Sequence, residues 1–190
     1  QIAGLEAPFH DPRAFSSMAI LYLTSPRGAC HNNGDGYLVQ QGIEYPEIGV
    51  DNLPEDRFAN SGITQQMVRL QSYRQLYNAM TICQFYNPPV PMVGELLSMA
   101  MNEEINAEKI IELGDRIYGL KRLINLKLGW KPELQRFPRV MKNRLDGPTE
   151  GNTPDLKLQL QEWHECRNYN LETGYPNKEE LERLGLDNYL

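Results

Sequence analysis

Residues 107–128 constrain the fold of this chain more than any other stretch. Apolar side chains recur there at Ile110, Ile111, Leu113, Ile117, Leu120, Ile124 and Leu128, among charged and polar neighbours. Three- and four-residue spacing of this kind lines one side of a helix. Asn106 stands at the N-cap position and Gly129 at the C-terminal stop. The pattern predicts a helix from Ala107 to about Leu128. Such a helix is held mainly by packing of its apolar stripe, so the rest of the chain must supply partners.

Further helices follow from the same signals. Met67, Leu70, Tyr73, Tyr77 and Met80 predict one from Ile63 or Thr64 to about Met80. Asp11 as N-cap with Pro12 at the first helical position predicts another over Ala14–Thr24. A shorter apolar helix is expected over Met92–Met101. Asp155 caps one over Leu156–Asn170, and Asn177 caps a last one over Lys178–Leu184, closed by Gly185. Residues 1–12 read as extended. Residues 131–155 hold Pro132, Pro138, Pro148 and Pro154 and read as loop, with one helical turn near Val140–Lys142. No strand alternation or internal repeat is visible. The fold class expected is all-α: an irregular multi-helix domain with long loops. The 131–155 connection leaves room for two subdomains.

A length of 190 residues suits one sizeable core or two small ones. The net charge of −6 argues against nucleic acid as a partner, because phosphate binding needs a basic face. No apolar run reaches the ~20 residues that span a bilayer, so no membrane partner is expected. Neither a signal peptide nor an initial Met is present. A fragment of a longer chain is expected, and a processed terminus explains the start equally well. Cys30, Cys83 and Cys166 are odd in number, widely spaced and without a CxxC pair. They resemble neither a disulfide framework nor a four-thiolate site, and they suit a reducing, cytoplasmic setting.

Few residues invite chemistry. His31 stands in the polar loop Gly28-Ala-Cys-His-Asn-Asn-Gly-Asp-Gly36. Imidazole suits proton transfer near neutral pH. The plainer reading is a histidine that packs or caps within a turn, although the glycines would let the backbone approach a ligand closely. Cys30 beside it makes a poor dyad, because adjacent side chains point apart. Trp163-His164-Glu165-Cys166 looks like a metal site, yet two-residue spacing on a helix turns the ligands in different directions. His10 beside Asp11 is as weak. Cys83 ends the run Asn78-Ala-Met-Thr-Ile-Cys83, just before Gln84-Phe-Tyr-Asn-Pro-Pro-Val-Pro91 breaks the helix. A helix exit presents a side chain well, and a core thiol fits the same residue. The residues alone reach a helical domain with one odd thiol and one odd histidine. They do not reach a reaction.

Several segments in chain order resemble the C-terminal region of the tungsten-containing aldehyde:ferredoxin oxidoreductases. They are Gly4-Leu-Glu-Ala-Pro-Phe-His-Asp-Pro-Arg13, Ser25-Pro-Arg-Gly-Ala-Cys-His31, Arg116-Ile-Tyr-Gly-Leu-Lys-Arg-Leu-Ile-Asn-Leu-Lys-Leu-Gly-Trp130, and Gly174-Tyr-Pro through Leu181-Glu-Arg-Leu-Gly-Leu186. The resemblance implies a full-length enzyme with tungstopterin and one 4Fe-4S cluster. That enzyme oxidises aldehydes to carboxylic acids and passes electrons to ferredoxin. Three cluster cysteines would come from an upstream N-terminal domain that this chain lacks. The fourth lies in a family pattern of Asp, two residues, Gly, Leu, Cys. Cys83 fits that ligand, with Asn78, Thr81 and Ile82 in place of Asp, Gly and Leu. The first three positions imply pterin contacts. Asn78 keeps a carbonyl acceptor but no charge. Thr81 would crowd a backbone that Gly lets approach a ligand. His31 resembles the family histidine near tungsten, which hydrogen-bonds substrate or donates a proton. The isolated chain is then expected to bind no cofactor and to be inert. Two other readings stay open. One is a divergent member that reduces another substrate, such as an aromatic thioester. The other is a cofactor-free helical interaction or regulatory module.

Overall fold

A computed structural model describes residues 1–189, and its regular elements are helices joined by long connections. The helices are α1 (Ser17–Thr24), α2 (Gly36–Val39), α3 (Thr64–Ala79), α4 (Val90–Met101), α5 (Ala107–Lys127), α6 (Leu156–Arg167) and α7 (Lys178–Arg183). Short 3-10 turns join them, and extended pairing among the described residues is confined to isolated bridges such as Tyr45 with Val50. The all-α reading holds.

α1 is the innermost element, and every residue from Ser17 to Thr24 is buried. A helix that is apolar all round belongs in an interior. α1 begins later than its sequence signals suggest. The Asp11 carboxylate accepts from the Arg13 backbone N–H at 2.9 Å and pairs with the Arg13 guanidinium at 2.6 Å. Asp11 thus closes a local turn, and Ser16 takes the N-cap position.

α3 is the central strut, packed against α1, α5 and α6. The caps expected for α5 and α6 are present. Asn106 Oδ1 accepts from the Lys109 N–H at 2.9 Å, and Asp155 Oδ1 accepts from the Leu158 N–H at 3.0 Å. The buried side of α5 is rotated from the apolar stripe, however. Ile110 and Ile111 are buried, but Ile124 and Leu128 are 48% and 80% exposed, while Gly114, Tyr118, Gly119 and Arg122 lie inside. The reason is Gly114. A Cβ built there would run into the Ser72 carbonyl of α3, so the two helix backbones meet at this point. Beside that contact, Asp115 pairs with Arg167 of α6 at 2.6 Å and accepts from Ser72 Oγ at 2.5 Å. Trp163 Nε1 donates to Gln71 Oε1 at 3.1 Å. Polar side chains thus bind α3, α5 and α6 at the places where the apolar stripe does not.

The proline-rich stretch carries the expected turn at Arg139–Lys142. It sends Phe137 and Met141 into the main core, and Val140 and Asn143 present carbonyls to Arg13. A small second cluster of Leu123, Leu181, Leu184 and Leu186 fastens α7 to α5.

Candidate functional site

The two segments singled out by sequence lie on adjacent loops, both anchored to α3. The first is the His31 loop. Gly34 and Gly36 fit directly against the helices. A Cβ on Gly36 would stand 2.7 Å from Ser17 Oγ and 2.8 Å from the Met67 sulfur. These glycines serve close packing on α1 and α3. The loop is then locked electrostatically. Asp35, fully buried, accepts from Arg74 Nε at 2.8 Å and from Arg74 Nη2 at 2.6 Å. Asn33 Oδ1 accepts from Gln75 Nε2 at 3.1 Å. Burial of a two-point ion pair is tolerated only when its partners are well placed. Here Tyr45, Tyr73 and Tyr77 surround the guanidinium at 4.5–5.5 Å from their ring centroids.

The same arginine reaches the second segment. Arg74 Nη2 also donates to Tyr45 Oη at 2.7 Å and to Asn87 Oδ1 at 3.2 Å, four residues after Cys83. One side chain of α3 therefore ties the His31 loop to the Cys83 loop. Nothing in the sequence pairs Arg74 with Asp35, 39 positions earlier; an arginine in a polar helix reads as surface.

α3 ends in a Schellman turn. The Ile82 N–H donates to the Tyr77 carbonyl at 2.9 Å, and the Thr81 N–H donates to the Asn78 carbonyl at 3.4 Å. Thr81 occupies the left-handed position, with φ +57°. The glycine that the resemblance implies at this position would have a conformational reason: the turn demands positive φ, which β-branched Thr adopts at a cost. Asn78 Nδ2 donates back to the Arg74 carbonyl at 2.9 Å, which fixes its amide against its own helix. Ile82 packs on the main core. Cys83 is a free, exposed thiol. Asn32, Tyr77, Asn78, Ile82, Cys83 and Phe85 line an open cavity of about 260 Å³, so the neighbour of His31 and the candidate ligand share one concave surface.

His31 opens the 3-10 turn His31–Asn33 and is half-buried. Its Nδ1 is buried without a protein partner. Burial lowers the proton affinity of His31, and the His10 ring and Arg27 add to that, while Asp35 opposes it. His10 itself lies edge to face on His31 with ring centroids 5.0 Å apart, a neighbour that their separation in sequence conceals. Cys30 is buried, and its sulfur accepts from Arg27 Nε at 3.1 Å. His164 is buried and Cys166 exposed on opposite sides of α6, as their spacing requires.

The donor set fits one share of a metal centre. Among the described residues no group of three or more His, Cys, Asp or Glu stands together. An exposed thiol lining a concavity can supply one thiolate to a cluster completed from elsewhere. The fold and site thus define a helical domain with one exposed thiol on an open concavity. Comparison with known proteins gives the particular family. A profile described as aldehyde ferredoxin oxidoreductase, domains 2 and 3, matches residues 1–186. The chain belongs to this family. It is 28% identical to the tungsten-containing aldehyde ferredoxin oxidoreductase of Pyrococcus furiosus over 97% of its length, and 27% identical to that of Thermococcus kodakarensis over 100%. It spans only 30% and 31% of those relatives.

Proposed function

We propose that this chain is the C-terminal part of a tungstopterin, iron–sulfur oxidoreductase that oxidises aldehydes to carboxylic acids and passes the electrons to ferredoxin. Its matched relatives are tungsten-containing oxidoreductases named for that activity, and its family is shown over nearly the whole chain. When bound, the tungstopterin would supply the two-electron chemistry and the cluster the exit path for electrons. Cys83 would be the chain's thiolate to that cluster. Asn78, Thr81 and Ile82 would face the pterin from the end of α3. His31 would hydrogen-bond the substrate or return a proton to it. The observation that carries this reading is the open cavity lined by the exposed Cys83 and by Asn32, the residue after His31, while His31 itself does not line it.

An upstream portion of the protein would complete the site. Phe85 and Tyr86 beside Cys83 are 95% and 68% exposed, and α4 exposes Met92, Leu96 and Met99 on one side. Three free cysteines suit a reducing cytoplasm. Among the described residues no helix is long and apolar enough to cross a membrane.

The test is elemental analysis and EPR of the full-length protein against its Cys83→Ala variant. The expected result is loss of the reduced-cluster signal with the fold intact. An unchanged signal removes Cys83 from the site. A full-length protein without tungsten or iron favours the cofactor-free interaction module instead. The loss of charge at Asn78 favours a second reading within the family, a divergent member with another substrate. Turnover of an aromatic thioester in place of aldehydes would select it.

A further inference from the structure

The N-terminal segment brings a second imidazole, His10, against the histidine loop, and the proposed site leaves it unused. His10 is half-buried and fixed from both ends. Its carbonyl accepts from the buried Tyr22 hydroxyl at 3.0 Å. Its ring stacks on Tyr37, with centroids 3.8 Å apart and planes 11° from parallel. The edge-to-face contact with His31 follows from that placement, at 5.0 Å and 63°. Tyr37 sits in α2, two residues after the Asp35 that Arg74 clamps, so the ring on which His10 stacks is held next to the anchored His31 loop. We infer that His10 is a positioning residue for His31: it fixes the orientation of that imidazole and keeps the pair from holding two protons at once. This rests on the reading of His31 as a group that exchanges a proton or donates a hydrogen bond.

The charges around the pair support it. His31 also faces Arg27 and Asp35, whose effects oppose each other. Asp35 is committed to Arg74, and Asp11, next to His10, is committed to Arg13. Both carboxylates are thus already paired, and the pull of Asp35 on a His31 proton is opposed by burial, His10 and Arg27. Two imidazolium charges 5.0 Å apart repel one another, so the sites titrate as a pair. Burial and the neighbouring His10 both disfavour a proton on His31, and a neutral imidazole keeps one nitrogen to accept and one to donate.

Imidazole C–H NMR titration of the 190-residue chain tests this, with wild type compared with His10→Phe. Phenylalanine keeps a ring on Tyr37 and removes the charge. The expected result is a rise of the His31 midpoint by about half a unit or more, with a two-step curve collapsing to one step. His164, buried on α6, is the internal reference and should not move. A His31 midpoint that is the same in both proteins overturns the inference. His10→Gln gives the same two outcomes if the phenylalanine variant does not fold. The titration needs neither metal nor substrate. It can therefore fail while the Cys83→Ala result stands, and the reverse.

Discussion

Thr81 shows how much one backbone angle can explain. The sequence presents it as a bulky residue in place of a glycine, with crowding of a ligand as the expected consequence. Its φ of +57° places the cost in the chain itself. A β-branched side chain in the left-handed region costs ~1–3 kcal/mol, part of which glycine returns as unfolded-state entropy. Thr81→Gly is therefore expected to stabilise the chain by about 1 kcal/mol, read from urea unfolding. A loss of stability would show that the Thr81 side chain makes contacts worth more than the strain. His164 gives a pH dependence with a definite sign. Burial, reinforced by Arg122, lowers its pKa from 6.5 to about 4. The unfolded chain then binds a proton that the folded chain refuses. Stability is fully present above pH 6.5 and falls as pH drops from there toward 4, by at most about 3 kcal/mol. His164→Gln should flatten that slope. An unaltered slope would assign the acid sensitivity to other groups.

At the scale of elements, α3, α5 and α6 were legible because cap residues and apolar spacing are local signals. Asn106 and Asp155 make the hydrogen bonds their positions suggest. The side of α5 that turns inward was not legible, because it is chosen by an absence. Gly114 lets two backbones meet, and that contact buries Tyr118 and Arg122 instead of Ile124 and Leu128. Hydrophobic spacing cannot register a residue whose value is having no side chain. Likewise, the proximity of His10 to His31 and of Asp35 to Arg74 depends on how loops return to α3, and the sequence carries no local mark of either. Gly114→Ala tests the α3–α5 contact. The new methyl meets the Ser72 carbonyl rather than a flexible side chain, so the helices must separate. The expected cost is about 3 kcal/mol, at the upper end of overpacking effects. A cost below about 1 kcal/mol would mean that the helices slide apart easily. The neighbouring Asp115–Arg167 pair would then be loose as well.

For the whole molecule, the buried interior and the exposed apolar surface ask for different explanations. The core is closed by polar clamps, with Arg74, Arg122 and Arg167 all buried. By contrast, Met92, Leu96 and Met99 fall on one side of α4 at four- and three-residue steps and stay 41%, 45% and 73% exposed. Phe85 and Tyr86 stand in the loop that joins Cys83 to that helix, and Tyr86 reaches Met92 at 3.9 Å. Isolated exposed apolar residues are ordinary, whereas a grouped set beside a candidate ligand marks a surface that becomes covered. The chain's 30% share of its Pyrococcus furiosus relative supplies the reason, since in the proposed function the remainder of the enzyme completes the site. If so, the 190-residue chain by itself should bind a hydrophobic dye and self-associate at high concentration. Leu96→Glu with Met99→Glu should abolish both while shifting unfolding by less than about 0.5 kcal/mol each, because neither side chain belongs to the core. Under the proposed function, the same pair of changes in the full-length protein should lower iron and tungsten content together, as a poorly seated domain would hold Cys83 away from the proposed cluster. Full metal content in that variant, with self-association of the isolated chain unchanged, would assign α4 to solvent and return the cover of Cys83 to Phe85 and Tyr86.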